Sequence, residues 1–183
     1  MLSPDKSERL FGTLKEQSIM SVSINSIVTE EFDILHMTQA IGNQIMDLVS
    51  DADVNYRLND KTPTLGELCR GIGEVQRTYI DGFKNFKMDY FSYRHPDPTI
   101  ATSADRLRAW FAELDAEMDS VLRDMSEADV QSRPVDRGPD FSVPVRVNVH
   151  VYREALLIFY GRATLYLNAL GKGLPEQVVT WIG

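Results

Sequence analysis

The chain has 183 residues and a mass of 20.8 kDa, enough for one domain with a sizeable core and short for two. Its 43% hydrophobic and 25% charged residues are ordinary for a soluble globular protein, and no apolar run approaches the ~20 residues that span a bilayer. A formal net charge of −8 and a pI near 4.9 argue against nucleic acid as a partner, because phosphate binding needs clustered Lys and Arg.

The first residues, "MLSPDKSERLFGTLKEQSIMSVS", place charges where a secretory signal needs a continuous apolar core, so the expected compartment is the cytoplasm. Residues 1–28 read as an N-terminal extension with a short helix over 4–17, ahead of a bundle core over 29–175 within a single domain of 1–183. The first principal helix is expected from Thr29, an N-cap followed by Glu30 and Glu31, to about Ser50. Its inner face is Ile34, Thr38, Ile41, Ile45, Leu48 and Val49. The second opens at the capping box Thr64-x-x-Glu67 after Pro63, carries the stripe Leu65, Leu68, Ile72, Val75, Tyr79, Phe83 and Phe86, and is expected to end near Phe86. It also holds the one cysteine, Cys69, on its apolar side, which excludes an internal disulfide and fits a reducing compartment.

A third helix is expected from Thr102, with Asp105 completing a capping box, and its stripe runs Leu107, Trp110, Phe111, Leu114, Met118, Val121 and Met125. The connection from Met125 to Pro144 is long for a bundle, which predicts a segment crossing the length of the molecule. In the fourth segment, "FSVPVRVNVHVY" alternates valine in the period-2 pattern of a strand, while the continuation has no breaker before Gly161. The reading favoured is a helix from about Pro144 to Leu170, stopped by Gly171 and Pro175, with a packed tail after it. The result is an all-α four-helix bundle with a long connection between the third and fourth helices.

The second helix poses a question, since glycine in a helix interior costs roughly 1 kcal/mol against alanine, yet Gly71 and Gly73 both lie inside it. Either a side chain has been lost there or another helix approaches closely.

The phrase "TLGELCRGIGE" opening the second helix and "YGRATLYLNALGKGLP" closing the fourth, in this helix order, resemble the DinB/YfiT-like superfamily of four-helix bundles over about residues 29 to 175. The resemblance implies an all-α, up-down-down-up four-helix bundle in which three histidines bind a divalent metal, in some members for chemistry on low-molecular-weight thiols. Aligned without gaps, the three ligand positions fall on Gly71, Ala155 and Phe159, and the usual glutamine falls on Arg162. None of these supplies the donors that a transition metal requires. The resemblance therefore implies a protein with no metal cofactor and a refilled or open pocket at those three positions.

Other residues offer alternatives. Glu67, one turn before Gly71, Tyr152 and Arg162 are candidates for contacting a small-molecule ligand, with Arg153 less favoured and Tyr160 and Tyr166 read as core. His150 and Glu154 have the i, i+4 spacing of a metal pair on one helix face, the basis for an alternative divalent-metal thiol transferase or hydrolase. His36 reads as solvated and His95, in "SYRHPDPT", as part of a turn. The functional expectation is a small-molecule-binding or non-catalytic bundle, with a homodimer formed through an exposed apolar stripe as a further expectation.

Overall fold

Thr64 and Glu67 cap each other as the sequence requires: the Glu67 N–H donates to Thr64 Oγ1 at 3.0 Å and the Thr64 N–H to Glu67 Oε2 at 2.7 Å. The computed structural model describes residues 24–90 and 92–182, and from this cap it runs α3, Leu65–Asn85, to a left-handed Phe86 with φ 55°. Before it lie α1, Ser26–Glu30, and α2, Phe32–Asp47. After it come a 3₁₀ turn at Pro98–Thr102, α4 at Ala104–Asp124 and α5 at Glu127–Ser132. A two-stranded antiparallel hairpin, β1 at Pro134–Asp136 and β2 at Ser142–Pro144, leads directly into α6, Val145–Ala169, and α7 is Glu176–Ile182.

Pairs of touching residues give the helix directions. Gln76 reaches Asp115 and Arg77 reaches Glu117, so α3 and α4 run parallel. His36 meets Asp119 while Arg108 caps the carbonyls of Met46 and Val49, so α2 opposes α4. Arg153 lies on Thr38 and Tyr160 against Gly42, so α6 runs with α2. The order is up-down-down-up.

This topology corrects the expected crossing. Parallel α3 and α4 require the chain from Phe86 to Ser103 to return along the whole of α3, and Ala101 indeed packs on Gly66 at the start of that helix. The segment between α4 and α6 stays at one end instead, where Asn25 donates to the carbonyls of Leu122 and Met125 and Arg146 pairs with Glu30.

Two helix starts also differ from expectation. Asn25, not Thr29, caps the first helix, and the chain bends at Glu31, whose φ of −114° separates α1 from α2. The stripe rotates with that bend, so that Phe32, Leu35 and Met46 are buried and Ile34 is only half-buried. Thr102 ends the 3₁₀ turn and its hydroxyl donates to the Thr99 carbonyl, while the Ala104 N–H at the start of α4 finds its acceptor in Asp51 at 2.6 Å. A cap from 53 residues away in sequence replaces the local box.

Both patterns of the valine segment are used. Val143 sits in β2, and Val145 and Val149 then enter the core from α6 while Val147 faces outward. Packing extends beyond the expected 29–175 core, since Ile27 and Val178 are fully buried, each burial of this kind contributing roughly 1.5–3 kcal/mol. The helix expected over 4–17 lies outside the described residues.

Candidate functional site

Gly71 and Gly73 have opposite surroundings. A Cβ at Gly73 would overlap the six-membered ring of Trp110, with Cε3 only 2.8 Å away, so this glycine permits α3 and α4 to approach. A Cβ at Gly71 would meet nothing within 4 Å. It opens onto a cavity of about 350 Å³, within the range of small-molecule sites.

One wall is apolar and built from α3 at helical spacing, Gly71, Val75 and Tyr79, with Phe159 of α6 opposite. The rest of the lining includes Arg70, Glu74 and Arg94. Glu74 is shared: its Oε1 lies 3.5 Å from Arg70 Nε, its Oε2 lies 3.8 Å from Arg94, and the backbone N–H of His95 donates to it at 3.1 Å. Two guanidinium groups around one carboxylate leave a local positive balance in an acidic chain. Tyr79 adds a hydroxyl that burial pushes up to about 12, keeping it protonated near neutral pH, and Arg137 reaches its oxygen at 3.4 Å.

The sequence candidates divide around this cavity. Gly71 and Phe159 line it, and Ala155, one turn before Phe159, is half-buried. Glu67 is committed to its capping box and to Arg57 at 3.1 Å. Tyr152 is fully buried, and its hydroxyl accepts from Gln76 at 3.2 Å in the interior of the bundle. Arg162, expected near the inner face, is exposed, with its guanidinium 5.5 Å above the Phe159 ring. The outward position follows from α6 exposing Ile158 and Leu165 on the same side. Arg153 is half-buried against Thr38, and the Tyr166 hydroxyl donates to the Pro63 carbonyl. His150 is half-exposed, 3.5 Å from Glu31, a carboxylate that Arg146 already holds at 3.0 Å, and Glu154 is exposed.

Cys69 is buried with its sulfur 3.6 Å from Met46 sulfur, and burial pushes the thiol up to about 12. His36 is not simply solvated, since its Nε2 lies 2.7 Å from Asp119. His95 packs edge-on to Trp110 with ring centroids 4.6 Å apart.

Sequence reasoning missed two groups. Arg70 and Glu74 are an i, i+4 pair beside Gly71 and Val75 on α3, a spacing the sequence shows, whereas nothing in the sequence marks Arg94, from a loop, as their neighbour. The second group is an interior polar cluster in which Gln76 donates to both Asp115, at 3.0 Å, and Tyr152. Burial raises the Asp115 carboxyl to about 6, with the Asp119 charge adding to it and Gln76, Gln39 and His36 opposing. Its signal was present, because Gln76 is a polar residue among Ile72, Tyr79 and Phe83 on a buried stripe.

The sequence model of the DinB superfamily matches residues 34–153. Two solved structures share the fold: a DinB-like protein of Bacillus cereus, at TM-score 0.66 and 14% identity over 79% of this chain and 93% of that one, and a DinB-like protein of Bacillus subtilis, at TM-score 0.62 and 13% identity over 79% and 96%. No curated protein matches the chain. Among the described residues, no helix is long and apolar enough to cross a membrane. With the family match covering well over half its length, this chain belongs to the DinB superfamily.

Proposed function

We propose that this chain is a small-molecule-binding DinB bundle whose ligand enters the Gly71 cavity, and that it uses no three-histidine metal. The observation that carries the reading is the open space at Gly71, facing Phe159, at two of the three positions where the family resemblance puts metal ligands. The donor chemistry does not fit such a centre. Glycine, alanine and phenylalanine offer no donors, and among the described residues no three His, Cys, Asp or Glu side chains gather to hold an ion. The alternative pair, His150 and Glu154, lies on an exposed face beside the Arg146 cation, an unfavourable place for a divalent ion.

The lining supports a ligand with an apolar, ring-sized body against Val75, Tyr79 and Phe159 and one anionic group directed at Arg70 and Arg94. A single buried cysteine supports a cytoplasmic location. The test is binding of anilinonaphthalene sulfonate, an aromatic anion, followed by its fluorescence. The native chain binds it, Gly71→Leu fills the cavity and abolishes the signal, and Arg94→Ala weakens it about tenfold. Binding that is indifferent to Gly71→Leu overturns the cavity assignment. About one tightly held metal ion per chain by elemental mass spectrometry overturns the metal-free reading and directs mutation to His150 and Glu154.

A further inference from the structure

Along α6, large apolar side chains remain uncovered: Ile158 is 66% exposed, Leu165 58% and Val147 43%. At 100° per residue these three share one outward stripe with Val151, Glu154, Arg162 and Ala169. The stripe is a palindrome of chemistry centred on Ile158. Four residues to either side stand Glu154 and Arg162, seven to either side Val151 and Leu165, and eleven to either side Val147 and Ala169.

We infer that this face pairs with the same face of a second copy of the chain, the two α6 helices antiparallel and a two-fold axis passing through Ile158. A two-fold interface brings each residue at +n against the residue at −n of its partner. Ile158 then meets its own copy, each Leu165 lies against a Val151, and Glu154 meets Arg162 twice. Charge selects this occupant. Glu154 and Arg162 are exposed and form no salt bridge among the described residues, and at eight residues apart, about 12 Å along the helix, they cannot pair with each other. A parallel pairing in register would instead put Glu154 on Glu154 and Arg162 on Arg162. The helix face extends over 22 residue steps, about 33 Å, and α7, anchored by Ile182 at Gly161, adds the exposed side chains of Val179 and Trp181.

The pairing also reaches the cavity. Arg162 lies over the ring of Phe159, and that ring is a cavity wall, so a carboxylate on Arg162 from the second copy would hold the wall in place. The pairing stands independently of any ligand.

Sedimentation equilibrium on the full chain tests it. The native protein sediments at about twice 20.8 kDa at tens of micromolar. Ile158→Asp, which opposes two carboxylates on the axis, raises the dimer dissociation constant at least tenfold with an unchanged helical circular dichroism spectrum. Glu154→Arg and Arg162→Glu each weaken the dimer, and the double exchange restores it. A monomeric native chain, an Ile158→Asp variant that dimerises as tightly as the native chain, or a double exchange no better than either single change overturns the proposal.

Discussion

Replacing Gly71 and Gly73 with alanine, one at a time, should move stability in opposite directions although the residues are two apart in the same helix. Both substitutions gain helix propensity, roughly 1 kcal/mol, because alanine loses less backbone freedom on folding. At Gly71 nothing opposes that gain, since the new methyl enters open space. For a chain of this size about 1 kcal/mol corresponds to a rise of roughly 2–4 °C in Tm. At Gly73 the methyl would overlap three ring atoms of Trp110. That indole is 7% exposed and held between His95 and Phe111, so it has little room to retreat. Overpacking of this kind costs about 1–3 kcal/mol, and the severity of the overlap places it at the upper end, leaving a net loss of about 1–2 kcal/mol. The assay is thermal and urea unfolding followed by far-ultraviolet circular dichroism and tryptophan fluorescence. Gly73→Ala should also shift the emission of Trp110. Equal changes of the same sign, or a destabilised Gly71→Ala, would refute the assignment of one glycine to open space and the other to close approach.

Asp115→Asn tests the interior cluster through pH. The raised carboxyl means that the folded state favours the protonated form, so the penalty for burying its charge is fully present above about pH 6 and disappears as pH falls through the ordinary aspartate value of 3.8. The asparagine chain should therefore be more stable than the native one by about 2–3 kcal/mol at pH 8, with the difference shrinking to about 0.5 kcal/mol at pH 4 and vanishing near pH 3 in urea titrations, the contact from Gln76 being kept. Asp119, His36 and Tyr152, which surround the group, are common to both chains, and a pH-independent difference would count against the assignment. Cys69 should resist a disulfide reagent in the folded protein and react on unfolding in urea. The rise from 9.0 to about 12 alone lowers the thiolate fraction about a thousandfold, and rapid labelling of the native chain would show that α3 opens locally.

Local signals placed most of the helices because their causes are local. The Thr64–Glu67 box, the apolar stripes of α3 and α4 and the stop at Gly171 depend on residues within a few positions of one another, and they reappear in the structure at those residues. The family resemblance likewise marked Gly71 and Phe159, which the fold brings to one cavity. Where a distant residue supplies the missing hydrogen bond, the local reading failed: Asp51 caps α4 in place of Thr102, and Asn25 ties the first helix to the end of α4. The valine run could be read as strand or helix because period 2 was genuine for a few residues before the 3.6 period took over, and only pairing with β1 decides where the change occurs. The difference between Gly71 and Gly73 was equally beyond the sequence. Both are the same residue in the same helix, and only the position of Trp110 across the α3–α4 contact makes one a packing requirement and leaves the other as open space.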